Sequence, residues 1–315
     1  MNKRNLLLNY MESTGYQDYI PAGFFIHFDD HFHSGKAAVA RHLEYFNYTN
    51  MDFIKVQFEQ TFPQMPKITT PDDWEKIPTF SVDTYAGQLQ VIEGLIKEVR
   101  SEALIVVTLY SPFMCMRVAT SNELVTEHFT LDPETMKKAL EVMTESLLQF
   151  VRACIKLGVD GFYTSTQGAE ANRFDDKSIF KQYIKPSDLV VMKEIEQACI
   201  FNILHICDYR GGYDDLQPFI DYPGHVVNCS QQVGAKKIGK KELSQLFSRP
   251  FMVGMDRHGV ISTGRKTAIV EDVKNTIKDA PKQFILGADC TLPNDIDWDC
   301  IRLAIETSHS HTRQK

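Results

Sequence analysis

What most constrains this chain is a unit repeated eight times along it: a short apolar strand, a turn, then a segment with helical periodicity. The candidate strands are residues 22–28, 52–58, 103–110, 161–166, 201–207, 225–230, 250–255 and 283–289. Each is rich in β-branched or aromatic residues and is bounded by Gly, Pro, Asp or Asn. Near-continuous apolar content is the mark of strands buried on both faces, as in a parallel sheet. The clearest helix runs from Pro133 to Leu157. There Met136, Leu140, Met143, Leu147, Phe150, Val151, Cys154 and Leu157 recur mostly at three- or four-residue intervals. Asp132 followed by Pro133 supplies an N-cap and a first-turn proline, and Gly158 a stop. Further helices are expected at 36–47, 85–100, 186–198, 239–247, 266–279 and 296–307, with a weaker one at 213–220. Eight parallel strands joined by right-handed helical crossovers predict an α/β fold, a single closed (β/α)8 TIM barrel; a doubly wound open sheet is the alternative.

The length of 315 residues suits such a barrel, and no linker or low-complexity segment divides it, so residues 1–315 read as one domain. A net charge of -7 leaves no basic excess for a nucleic-acid partner. The first residues have no apolar core or small-residue cleavage site, and no apolar run reaches the ~18 residues of a membrane helix. A cytoplasmic protein without a membrane partner is the expectation. The seven cysteines are then reduced thiols or metal ligands, and the acceptor patterns at Asn47 and Asn228 have no meaning. The irregular stretch 59–83 follows the second strand, which would hang it over the active-site face.

Catalytic groups of a β/α barrel sit at the C-terminal ends of its strands. The fifth strand ends in LHIC, so His205 and Cys207 share one side of it. The eighth ends in GADC, bringing Cys290 to the same mouth. One imidazole and two thiolates suit zinc, and three protein ligands leave a fourth position for water or substrate, the pattern of a catalytic site. Cys229, ending the sixth strand in VVNCS, competes for the third place, and spacing alone does not choose between it and Cys290. Taken alone, each cysteine also has an ordinary reading as a buried packing residue.

His205-Ile-Cys207, with Cys290 in FILGADCTLPNDID before the last helix, resembles the H-x-C…C zinc site of the uroporphyrinogen decarboxylase superfamily. Its branch of zinc-containing, cobalamin-dependent methyltransferases, such as those that methylate coenzyme M, is the nearest. KRNLLLNYMESTGYQDYIPA is similar to that superfamily's opening helix and D-x-x-P entry to strand one, which adds an N-terminal helical extension. LYSPF and LGVDGFYTSTQG resemble its third- and fourth-strand regions. The resemblance favours Cys290 over Cys229. It implies a methyltransferase that activates a substrate thiol on zinc, with a corrinoid such as methylcobalamin as methyl donor. No corrinoid-binding domain is recognisable, so the corrinoid would arrive free or on a separate partner protein. The decarboxylases themselves carry an arginine-bearing motif after strand one; here that stretch reads HFDDHFHSGK, with no arginine before Arg41. Uroporphyrinogen decarboxylation for porphyrin biosynthesis is therefore the alternative, and a non-catalytic corrinoid- or tetrapyrrole-binding protein a third. The family's carboxylate near the end of strand two maps to Glu59 as a catalytic candidate.

Other candidates follow from position. His27, Asp29, Asp30, His31 and His33 cluster at the end of strand one as a second metal site or as substrate contacts, with His27, Asp29 and His31 the contact candidates and exposed loop or helix-capping residues the plain reading. Tyr110, at the third strand's end, is another contact candidate. Glu170 is a candidate fourth zinc ligand or acid/base, or else a surface carboxylate. Lys55, inside an apolar strand, needs a partner, for which Glu59 and Asp52 are nearby. Asp256, Arg257 and His258 end strand seven where barrels often bind anions, Asp256 being the substrate-contact candidate, unless they simply pair among themselves. GAKKIGKK (234–241) approaches a P-loop, but Lys241 stands where the motif needs Ser or Thr, so it reads as a basic surface turn.

Overall fold

The computed structural model describes residues 2–13, 19–57, 65 and 67–311. Its main sheet holds seven parallel strands: β1 (Phe53–Val56), β2 (Leu104–Tyr110), β3 (Gly161–Thr166), β4 (Ile203–Ile206), β5 (Val226–Cys229), β8 (Phe251–Met255) and β9 (Phe284–Ala288). Two two-residue strands, β6 (Gln232–Val233) and β7 (Lys236–Lys237), form a separate antiparallel hairpin. The main sheet runs β1-β2-β3-β4-β5-β8-β9, every neighbour parallel.

The segment expected as the first strand takes the eighth place without forming a ladder. Gly23 N–H donates to Leu286 O at 2.9 Å, Leu286 N–H to Pro21 O at 2.8 Å, and Asp52 N–H to Ala22 O at 3.0 Å. The stave thus touches β9 on one side and the entry to β1 on the other, closing a partly open barrel. Two residues explain its irregularity. Pro21 has no N–H to give, and the Ala22 N–H goes to the Asp52 carboxylate at 2.6 Å instead of to a strand carbonyl.

Strand alternation divides the core in two. Phe53, Leu104, Val106, Tyr163, Ile203, Val226, Met252 and Ile285 point into the barrel with Phe25, and Leu7 of the helix Lys3–Glu12 plugs the lower end. Their neighbours, such as Ile105, Val107 and Leu204, face the surrounding helices. The long helix has the expected limits, Pro133–Leu157. Asp132 Oδ1 accepts the Thr135 N–H at 3.1 Å, and Gly158 ends the helix at φ 94°. The other expected helices form within one to two residues of their limits, except 213–220, which shrinks to a 3-10 turn at Gln217–Phe219. Two helices after β2, Pro112–Ala119 and Asn122–Leu131, were not foreseen.

The described part of 59–83 does not hang free. It winds through 3-10 turns at Pro71–Lys76 and Val82–Tyr85, with Trp74 fully buried and its indole N–H donated to His128 Nδ1 at 2.9 Å. Phe80 N–H donates to Ser146 Oγ at 2.9 Å. A buried indole anchor outweighs the stretch's lack of periodicity. Among the described residues, no helix is long and apolar enough to cross a membrane.

Candidate functional site

At the C-terminal ends of the strands lies a cavity of about 500 Å3, whose floor is the barrel interior. Strand parity determines what enters it. On β1 and β2 the inward positions near the mouth are Lys55 and Thr108; beyond β3's Tyr163 and Ser165 comes Gln167; β4 delivers His205 and then Cys207. Cys290 stands two residues past the end of β9. One ligating atom each from His205, Cys207 and Cys290 lies within 4.8 Å of the others, and all three residues are buried. Parity also separates the two candidates for the third donor position. Asn228, aligned with His205, points inward, donating to Met252 O and Ala288 O and accepting from Tyr163 OH. Its neighbour Cys229 therefore packs outward in the helix-facing core, where burial pushes its thiol pKa up.

The three donors are held by different means. His205 Nε2 lies 3.5 Å from Cys290 Sγ, and its ring stacks on Tyr163 at 5.0 Å between centroids. Cys207 has its N–H on Thr166 O, while its carbonyl accepts from Tyr213 OH at 2.9 Å. Gln167 Nε2 reaches the Cys207 sulfur at 3.4 Å. The two thiols share a hydrogen bond: donation by Cys290 lowers the pKa of Cys207, and the same bond raises that of Cys290. Of the two thiols, Cys207 is therefore the easier to deprotonate.

The donor set meets the requirements of zinc in chemistry, number and position, at the open end of a barrel. Buried His205 Nδ1 has no hydrogen-bond partner among the described residues. Leaving such an atom unsatisfied costs about 1–3 kcal/mol, so this arrangement is not optimised for packing alone.

The charged side chains that line the cavity have one sign, with Asp208 and Asp289 set behind Arg257. Lys55, Arg117, Arg210 and Arg257 all line the cavity, and no carboxylate does among the described residues. Lys55 donates to Gln57 Oε1 at 2.8 Å and Thr108 Oγ1 at 3.0 Å and lies 4.8 Å from the Phe25 ring centre. Asp52, one expected partner, is instead at the barrel's lower end, and Glu59, the other and a catalytic candidate, is outside the described residues. Arg117 is the least satisfied: its buried Nε has no hydrogen-bond partner among the described residues, and burial lowers its pKa.

Among the remaining candidates, His27, Tyr110 and His258 line the cavity. Asp29 and His31 do not; both are exposed at the 3-10 turn Asp30–Phe32, where His31 packs on Phe32. Asp256 is exposed, its carboxylate accepting the His258 N–H at 2.8 Å. Glu170 is buried but outside the cavity, gripped by Arg173 through both oxygens at 2.7 and 3.0 Å and by the Gly168 N–H. A carboxylate so engaged orders its loop, and that placement does not offer it as a fourth ligand or proton carrier. Sequence reasoning missed Tyr163, Gln167, Arg117 and Arg210. Parity with Ser165 would have found the first two. The arginines come from a helix and a loop whose aim no periodicity encodes.

Residues 51–311 match the uroporphyrinogen decarboxylase (URO-D) family. The chain belongs to that family. No curated protein sequence matches it. Among solved structures, it is similar to a methyltransferase from Methanosarcina mazei, at TM-score 0.77 and 13% identity, over 98% of each chain. A B12-independent methionine synthase from Shewanella sp. W3-18-1, in complex with selenomethionine, superposes at TM-score 0.57 and 10% identity, over 95% of this chain and 94% of that one. At these identities the likeness establishes the fold.

Proposed function

We propose that this URO-D family member is a zinc-dependent methyltransferase that moves a methyl group from a corrinoid to a substrate thiol. The observation that carries the reading is the buried His205/Cys207/Cys290 triad at the mouth of the cavity. When bound, zinc supplies the Lewis acidity that keeps a substrate thiol deprotonated at neutral pH. The chain's own residues do the rest. His205, Cys207 and Cys290 hold the metal, Tyr163 fixes the imidazole plane, and Gln167 hydrogen-bonds the Cys207 sulfur. Lys55, Arg117 and Arg210 form a positive wall that recognises a carboxylate, sulfonate or phosphate on the thiol substrate. The corrinoid supplies the electrophilic methyl group, free or on a separate protein, and the cavity's depth limits competing attack by water.

Purified protein under reducing conditions is expected to hold one zinc per chain and to convert methylcobalamin plus a small anionic thiol into the thioether. Protein without zinc would defeat the reading. So would zinc-loaded protein that binds cobalamin yet methylates no thiol, which would mark a carrier, or protein that decarboxylates uroporphyrinogen in a direct assay.

A further inference from the structure

We propose that Arg257 is a positioning residue that sets the spacing of the two cysteine sulfurs, an inference that rests on the triad being a metal centre. Arg257 follows β8, and its neighbours in the fold are the two loops that carry the sulfurs. Its Nη1 donates to Asp208 Oδ1 at 2.8 Å and to Asp289 Oδ2 at 3.0 Å, and its backbone N–H donates to Asp289 Oδ1 at 2.8 Å. Asp208 directly follows Cys207, and Asp289 directly precedes Cys290. One guanidinium thus ties together the residues adjacent to both thiols. The three side chains are mostly buried, at 14%, 15% and 16% exposure, so solvent screens the bridge only partly.

The tie matters because β4 and β9 are not neighbours; β5 and β8 lie between them. No ladder hydrogen bond sets the distance from Cys207 to Cys290, and both lie beyond the ends of their strands. Without Arg257, two carboxylates facing one another would push their loops apart, taking a sulfur with each. A competing effect has the opposite sign, since removing a cation near a metal dication strengthens the metal's attraction. That effect is small here because the guanidinium is already neutralised by two carboxylates. Geometry therefore wins.

The test compares zinc affinity, by competition with a chromophoric chelator, in wild type, Arg257→Met, Arg257→Lys, Asp208→Asn and Asp289→Asn. Partners that orient metal ligands are worth about 10–100-fold in affinity, the loss expected for Arg257→Met. Arg257→Lys is expected to lose nearly as much, because both carboxylates are bridged by Nη1, and a lysine ammonium keeps the charge but ends one atom short of that position. Each Asn variant, which weakens one arm, should lose less. Cobalt-substituted Arg257→Met should show shifted visible ligand-field bands, a signature that general loss of stability would not produce. Affinity unchanged within about threefold with unshifted bands overturns the proposal, as does full rescue by lysine. If Arg257→Met does not fold, Asp208→Asn decides on the same readouts. Wild type that binds neither zinc nor cobalt defeats the metal reading itself, whereas metal-binding wild type with indifferent variants defeats the clamp alone.

Discussion

The two ends of this barrel are built on opposite principles. At the lower end the buried carboxylates Asp160 and Asp52 both have partners. Arg4 grips Asp160 through two hydrogen bonds at 2.7 and 2.5 Å, and Asp52 collects the Ala22 N–H, His309 Nε2 and the Tyr19 hydroxyl. The plug of Leu7 against Phe53 and Ile203 excludes water. At the mouth, by contrast, His205 Nδ1, Gln167 Oε1 and Arg117 Nε are buried with no hydrogen-bond partner among the described residues. Such atoms carry a stability cost that a bound ligand or an ordered water relieves, so the difference separates the end that holds the fold from the end where a ligand can be taken up.

The contrast is sharp enough to be broken by substitution. The largest expected effect is at the mouth, where Cys207→Ala or Cys290→Ala should reduce zinc to well below one per chain and abolish methyl transfer. Thermal unfolding of the metal-free protein should scarcely move, as metal analysis beside calorimetry would show. At the lower end the converse is expected. Arg4→Met leaves the Asp160 carboxylate, 3% exposed, with an unpaired charge; losing one partner of a buried pair costs about 3–5 kcal/mol. For a chain of this size that is a fall of roughly 10 °C in Tm, with zinc affinity unchanged in the same preparation. An Arg4→Met protein that lost its metal would erase the division between the two ends.

Between these extremes lies Arg117→Ala. Removing a mouth cation that has no partner on its Nε should raise KM for an anionic thiol by about tenfold, worth roughly 1.4 kcal/mol, and leave Tm within a degree or two. An equal loss for a neutral thiol of the same size would show that Arg117 does not read charge.

The smallest effect tests the layer behind the strands. Fully buried Asp188 accepts from Thr166 Oγ1 and Tyr222 OH through Oδ2, and Ser111 beside it also favours the ionised form. Burial pushes its pKa up to about 7. A carboxyl with a raised folded pKa costs nothing below its unfolded value, and costs progressively more stability as pH rises towards the folded one. Asp188→Asn keeps the accepting oxygen and removes the charge. It should raise Tm by a few degrees at pH 8.5 and make no difference at pH 4, which melting curves across that range would check.

Legibility in the sequence followed the same division. Strand positions and most helices were readable because apolar runs and caps such as Asp132–Pro133 are local signals. His205 and Cys207 were readable because alternation within one strand places them together. The first stave was misread as a regular strand, since its ladder is displaced by the Asp52 side chain, thirty residues further along. Cys290 needed more than spacing: the family resemblance favoured it, and in the fold the inward turn of Asn228, hence the outward turn of Cys229, separates the two candidates. Glu170 looked like a candidate ligand because the sequence does not reveal that Arg173 binds both its oxygens. The positive wall of Lys55, Arg117 and Arg210 was illegible because it draws on three separate segments of an acidic protein.

The Asp52 junction also sets an order of assembly. Gly23 and Ala22 finish their bonding only with Leu286 and Asp52, and Asp52 is completed by His309. During synthesis the early strands can pair as they emerge, yet the stave beside them waits until β9 and the helix ending at His309 have been made. The seam is the last part of the wall to close, and until it does His27, carried on that stave, has no settled place at the mouth.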